Sequence, residues 1–137
     1  MRGLILAKSD AVTEQIAILL RQAGCDASQI YSNGEAIISV VHAKVQVVVA
    51  DIDDPYVDGL AVLVWCKLHH PDVKAFALCH GNSNNGQRVA REFGMDGFFY
   101  LTPRSHQLDT SHGIIRQLRR TGKSAGPLRS GGKRQAG

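Results

Sequence analysis

The chain has 137 residues, 44% hydrophobic and 20% charged, which is the size and composition of one globular domain rather than two. No apolar run approaches the roughly 18 residues needed to span a bilayer, and the N-terminal run is too short for a signal peptide. We therefore exclude a membrane-spanning protein and predict a cytoplasmic one without membrane contact.

The net charge of +4 belongs to the C-terminal end of the chain. Residues 121–137 contain four basic residues and no acidic one, and without them basic and acidic residues are equal in number. Five of the 14 glycines also lie there, with almost nothing apolar to pack. We predict a folded domain over residues 1–120 and a flexible basic tail over residues 121–137. Any contact with nucleic acid would be weak and made through this tail.

The three cysteines, Cys25, Cys66 and Cys79, are odd in number and far apart. No Cys-x-x-Cys pair occurs, so the sequence signals neither a zinc site nor a disulfide framework. We expect buried free thiols.

The first part of the chain alternates short apolar runs with helical patterns. Residues 4–7 predict a buried strand, and Ser9 or Asp10 is placed to cap the helix that follows. Residues 29–31 predict a weak second strand. The apolar residues between positions 36 and 41 then predict one face of a second helix.

The middle of the chain carries the strongest strand signal. Residues 45–50 are mostly β-branched and nearly all apolar, which is typical of a central parallel strand covered by helices on both sides. Asp51 ends this strand. Residues 60–68 predict a third helix after a loop that contains Pro and Gly, and residues 75–79 predict a fourth strand.

The last predicted elements complete an alternating pattern. Val89, Ala90 and Phe93 indicate a weak fourth helix, and residues 97–101 a fifth strand. The final helix is predicted from Leu108, Ile114, Ile115 and Leu118. Five strands alternating with helices require a parallel sheet, because each crossover helix returns the chain to the same edge.

Ligands of such sheets bind outside the carboxyl ends of the strands, where the strand order reverses. The candidate site residues are therefore those that follow the predicted strands: Lys8, Ser9, Asp10, Asp51, Cys79, His80, Leu101 and Thr102.

Asp51 is followed four residues later by Pro55 and eight residues later by Gly59. This spacing, after the third of five strands, resembles the segment around the phosphoacceptor of response-regulator receiver domains. The resemblance covers about residues 2–120. It implies a flavodoxin-like (βα)5 fold with a five-stranded parallel sheet in the order 2-1-3-4-5 and helices on both faces. Pro55 would set a tight turn, and Asp58 with Gly59 would open the next helix.

The resemblance also implies a chemistry in which Asp51 is the phosphoacceptor and attacks a phosphohistidine of a sensor kinase. In the family, two acids after the first strand help to hold a divalent metal, while a hydroxyl after the fourth strand and a lysine after the fifth bind the phosphoryl group. This chain departs from that pattern at each supporting position. Lys8 and Ser9 stand in place of the acids, Cys79 in place of the hydroxyl, and Thr102 precedes proline where the lysine is expected.

The altered pocket is expected to bind Mg²⁺ weakly, because Mg²⁺ needs carboxylate oxygens. Asp10, which we expect to be a helix cap, and Asp51 are the weak metal candidates. Asp53 lies in the following loop and is expected to be solvated. Lys8 is expected to pair with Asp51, lower its pKa and replace the metal. No other cofactor is implied.

Two interpretations of function remain open at this point. In one, the chain is a single-domain receiver phosphorylated at Asp51 in an unorthodox pocket; in the other, it is a pseudo-receiver that signals without phosphorylation. Both place it in two-component or phosphorelay regulation, as a non-enzymatic partner of a sensor kinase or a downstream effector. Contact is expected through the face of the fourth helix, fifth strand and fifth helix, and no effector domain is expected after residue 120.

A small flavodoxin-like enzyme is disfavoured. Cys79 and His80 would be a nucleophile and a base, but neighbours on a strand point to opposite faces and cannot meet. No glycine-rich phosphate loop follows the first strand, so nucleotide binding is unsupported.

Overall fold

The computed structural model describes residues 1–81, 83–102 and 108–109. The strands are β1 Arg2–Leu6, β2 Asp26–Ile30, β3 Val47–Asp51, β4 Lys74–His80, β5 Gly97–Leu101 and β6 Leu108–Asp109. The helices are α1 Asp10–Gln22, α2 Asn33–His42, α3 Gly59–His69 and α4 Ser83–Phe93.

The strands form one sheet in the order β2-β1-β3-β4-β5-β6. β1 to β5 pair in parallel, which confirms the predicted parallel sheet in the order 2-1-3-4-5. The core lies in two layers. One packs α1 against one face of the sheet, and the other packs α2, α3 and α4 against the opposite face. Helices on both faces, also predicted, are therefore confirmed.

The short strand β6 is a departure from the prediction, which placed Leu108 in a final helix. Leu108 instead pairs antiparallel with Leu101 of β5, and its backbone N–H donates to Oε1 of Gln15 at 3.1 Å. Its side chain packs against the core layer of α1, and its backbone covers the open edge of β5. The remainder of the predicted fifth helix and the tail over residues 121–137 lie outside the described residues.

The core of the sheet is built around the central strand β3. Every residue of β3 is buried, as its continuous apolar run predicts. Phe76 on β4 and Phe99 on β5 meet edge to face on the α1 side, with ring centroids 5.9 Å apart. None of the helices in the described part of the chain is long and apolar enough to cross a membrane.

The three cysteines are free and buried, as predicted. Burial raises the pKa of the Cys66 and Cys79 thiols to about 11 and also raises the pKa of Cys25. Because the thiolate is the reactive form, we expect an aromatic disulfide reagent at about pH 7.5 to label the native chain slowly and the urea-unfolded chain at once. Rapid labelling of the native chain would contradict the described burial.

Candidate functional site

The carboxylate of Asp51 lies at the carboxyl end of β3, where the site was predicted. Its side chain is 6% exposed. Oδ1 accepts the backbone N–H of Asp53 at 2.9 Å, and Oδ2 lies 2.8 Å from Nε2 of His80. Both carboxylate oxygens of Asp51 are therefore engaged, one by the loop that follows β3 and one by the end of β4.

His80 reaches Asp51 because of the register between β3 and β4. Asp51 lies opposite Leu78, and residues two apart on a strand project to the same face, so His80 shares the face of Asp51. Oδ2 of Asp53 accepts the backbone N–H of His80 at 2.7 Å, which fastens the end of β4 to the loop after β3. We refer to the two contacting side chains as the Asp51–His80 pair.

The environment of Asp51 opposes its charge. Burial raises the pKa of this carboxyl above its usual value, while the Asp53 N–H and the His80 imidazole lower it, and the nearby Asp54 raises it further. The net effect is a raised pKa, so the folded state binds a proton more readily than the unfolded state. The contribution of Asp51 to stability is therefore largest at low pH and is lost as the pH rises through its folded pKa.

Asp51→Asn should remove this pH dependence, because the amide cannot ionise. We expect the variant to gain stability relative to the parent as the pH rises from about 3.5 to about 7. Urea unfolding midpoints at both pH values measure the difference. A gain that is larger at the lower pH would show that the folded chain favours the ionised carboxylate.

The prediction that Cys79 lines the pocket is corrected by the structure. The Cys79 thiol is buried in the core layer beneath α4, with Sγ 3.5 Å from the carbonyl oxygen of Phe99. A Cβ at Gly86 of α4 would lie 2.6 Å from that sulfur, which shows how closely the helix covers it. The alternation of the strand sends Cys79 into the core and His80 towards Asp51.

The end of β1 also differs from the prediction. Ser9 is the N-cap of α1, and its hydroxyl accepts the N–H of Val12 at 3.3 Å. Asp10 is the first helical residue rather than the cap, and its Oδ1 lies 3.4 Å from the hydroxyl of Tyr31. The alternative of Ser9 as the cap is therefore confirmed, and the interpretation of Asp10 as the cap is wrong.

The prediction that Lys8 pairs with Asp51 is wrong. Its ammonium lies 5.9 Å from the centroid of the Tyr31 ring. Within the described residues, the side chain that contacts the Asp51 carboxylate is His80. The physical reason is that Lys8 can stay hydrated above an exposed aromatic face, whereas pairing with Asp51 would require its desolvation beside a carboxylate that already has partners.

The loop after β3 keeps the predicted turn residues in place. Oδ1 of Asp54 accepts the N–H of Tyr56 at 2.7 Å across Pro55, which closes a tight turn. Asp58 caps α3 by accepting the N–H of Ala61 at 3.1 Å, and Gly59 is the first helical residue, as predicted.

The described residues at this edge of the sheet leave few oxygen ligands for Mg²⁺, whose weak binding stays a prediction. Ser9 uses its hydroxyl to cap α1, Asp10 contacts Tyr31, and the oxygens of Asp51 are engaged. Within the part of the chain that is described, no three His, Cys, Asp or Glu side chains converge so as to hold a metal ion. Thr102 follows β5 directly and is partly buried, and its role in the pocket stays a prediction.

An open cleft of about 690 Å³ lies beside the site. It is lined by Lys8, Tyr31, Ser32, Asn33, Pro55, Tyr56, Val57 and Asp58. Asp51 and His80 are not among its lining residues, so the cleft runs past the end of β1 rather than into the Asp51–His80 pair.

No protein-family model and no curated protein sequence matches the chain. Solved structures do. The response regulator 1452 receiver domain of Francisella superposes with a TM-score of 0.67 at 20% identity, covering 90% of this chain and 98% of that one. A CheY-like response regulator receiver domain protein of Methanospirillum hungatei gives 0.66 at 18% identity, covering 90% and 98%.

A putative response regulator of Chloroflexus aurantiacus is similar in the same way, with a TM-score of 0.64 at 19% identity over 90% of this chain and 94% of that one. At these identities the likeness concerns the fold. The chain therefore has the receiver-domain fold, as its sequence resemblance implied.

Proposed function

We propose that this chain is a receiver-like signalling domain that acts through protein contact in a two-component or related pathway, without the Mg²⁺-dependent phosphorylation of Asp51. The receiver fold supports the class of function. The observation that carries the proposal is the Asp51–His80 pair, which engages the carboxylate that the family would phosphorylate.

The proposed loss of Mg²⁺ chemistry rests on two costs. Freeing Oδ2 of Asp51 means giving up its 2.8 Å hydrogen bond with the His80 imidazole. A hydrogen bond to a charged group such as a carboxylate contributes about 1.5–3 kcal/mol. In addition, Lys8 and Ser9 occupy the positions at which Mg²⁺ would need a second and a third carboxylate ligand. Each cost opposes metal binding.

We place the partner surface on α4 and β5, the described part of the predicted contact face. The exposed side of α4 carries Arg88, Arg91 and Glu92, with Arg88 and Glu92 paired at 3.2 Å. A polar, charged helix face of this kind suits a reversible protein contact in which charge complementarity sets partner choice. The segment predicted as the fifth helix lies outside the described residues.

Millimolar Mg²⁺ should leave the thermal midpoint of the parent unchanged. The matched positive control is the double variant Lys8→Asp, Ser9→Asp, which restores two carboxylates after β1 and keeps a good helix cap, because Asp caps as well as Ser. We expect Mg²⁺ to stabilise the double variant, by about 2.7 kcal/mol if it is present at 100 times its dissociation constant.

The result that would overturn the proposal is a rise of several degrees in the midpoint of the parent, abolished by Asp51→Ala. Such a rise would mean that the carboxylate releases His80 and binds the metal. It would favour the rival interpretation, a receiver phosphorylated at Asp51.

A further inference from the structure

One ring nitrogen of His80 contacts Asp51, and the other does not. The Asp51 carboxylate contacts Nε2 of His80, so in the neutral imidazole Nε2 carries the proton and Nδ1 carries the lone pair. The His80 side chain is 38% exposed, whereas that of Asp51 is 6% exposed. Asp51 contacts the Nε2 side of the ring, and the lone pair lies on the other ring nitrogen.

A carboxylate behind an imidazole is an arrangement that activates the imidazole. It fixes the tautomer and the orientation of the ring, and it stabilises the positive charge that develops when the free nitrogen takes up an electrophile. The orientation is held further by the backbone of His80, which donates to Asp53 at 2.7 Å. His80 is therefore a positioned nucleophile rather than a freely rotating surface histidine.

The surroundings of His80 carry charges of both signs. Asp51 and Asp53 are acidic and oppose the approach of an anion, but each accepts a hydrogen bond from His80 itself. α4 begins at Ser83, three residues after His80, so the positive end of its dipole lies at the same edge of the sheet, although the helix packs on the face opposite the His80 side chain.

We propose that His80 is a phosphoryl acceptor, modified at Nδ1 by a phosphoramidate or acyl-phosphate donor without a metal ion. The lone pair of Nδ1 forms a bond to phosphorus while the P–N or P–O bond of the donor breaks. The electron pair of that bond leaves with the amine, which takes a proton from water, or with the carboxylate. Nε2 keeps its proton and its contact with Asp51. This modification goes beyond the proposed function, since it needs neither Mg²⁺ nor a free Asp51.

The test is to treat the full chain with phosphoramidate in the presence of a metal chelator and to follow its intact mass. We expect one phosphoryl group to be added first at residue 80, located by fragment mass spectrometry. The bond should survive alkali and be lost in mild acid, as the P–N bond of a phosphohistidine is, whereas an acyl phosphate is cleaved by alkali.

Two variants separate activation from mere exposure. His42 is an exposed histidine on α2, outside the site, so in the parent it should be labelled at least about tenfold more slowly than His80. Asp51→Asn keeps His80 but weakens its activation, and it should slow labelling of residue 80 by about tenfold or more. His80→Gln should abolish the fast label, with a circular dichroism spectrum like that of the parent.

Three results would overturn the proposal. One is the absence of label at residue 80 of the parent. Another is labelling of His42 and His80 at equal rates. The third is an alkali-sensitive label that is lost in Asp51→Asn and kept in His80→Gln, which would make Asp51 the acceptor. The Mg²⁺ titration of the parent and the double variant tests the proposed function separately, because it involves no phosphoryl donor.

Discussion

Gly59→Ala should lower the free energy of unfolding by about 3 kcal/mol, a large effect for the addition of one methyl group. A Cβ at Gly59 would collide with the carbonyl oxygen of Asp51 and lie 2.7 Å from its carbonyl carbon. Both are backbone atoms of the buried central strand, so neither can move aside as a flexible side chain would. The first turn of α3 packs against the residue that anchors the site, and only glycine leaves the necessary space.

The matched control for this substitution is Gly34→Ala. Gly34 lies in the first turn of α2, and a Cβ there meets nothing within 4 Å. Because alanine favours helix more than glycine, this variant should be as stable as the parent or more stable by up to about 1 kcal/mol. Urea unfolding of the two variants gives the comparison. Equal effects at positions 59 and 34 would contradict the described contact with Asp51.

Phe99→Ala should cost about 3–5 kcal/mol, the range for removing a fully buried aromatic ring. Phe99 is 1% exposed on β5, and its ring meets Phe76 edge to face in the layer beneath α1. The loss combines the transfer free energy of the ring with the cavity left between β4, β5 and α1. Leucine should be tolerated better, because Phe99→Leu refills part of that space.

Phe93→Ala removes the same ring from a different environment. Phe93 ends α4 and is 42% exposed, at the rim of an apolar groove beside α3. We expect a cost below about 1 kcal/mol, measured by the same urea titration. If Phe93→Ala proved as damaging as Phe99→Ala, the groove would be closed in solution and the described exposure would be wrong.

Much of the fold could be predicted from the sequence, because the spacing of apolar residues matches the pattern of buried residues along most of the chain. The run at residues 45–50 allows only a strand buried on both faces, and the structure gives a fully buried β3 that ends at Asp51. The end of the described fold was less predictable. The apolar side chain of Leu108 would suit a helix as well as a two-residue edge strand. The open edge of β5, which exists only in the folded sheet, decides between these two structures.

Asp51 was predicted from the sequence as the centre of the site, but His80 was missed as its partner. Asp51 follows from its place after the central strand, whereas the choice between Lys8 and His80 as its partner depends on which side chain shares its face. The alternation that separates Cys79 from His80 is readable in the sequence. What the sequence leaves open is the register of β3 against β4, which places Leu78 opposite Asp51 and brings His80 to the carboxylate. Lys8 is drawn instead to Tyr31, a contact that requires β1 and β2 to be adjacent.

The most direct measurement of the central claim is a long-range ¹⁵N–¹H spectrum of the histidine side chains at about pH 7.5, with His80 assigned from the signal that disappears in His80→Gln. If Asp51 and His80 are paired, His80 should be the tautomer protonated at Nε2, and its signals should move in Asp51→Asn while those of the exposed His42 stay unchanged. A His80 protonated at Nδ1, or one whose signals are the same in the parent and in Asp51→Asn, would contradict the pair and both proposals that depend on it.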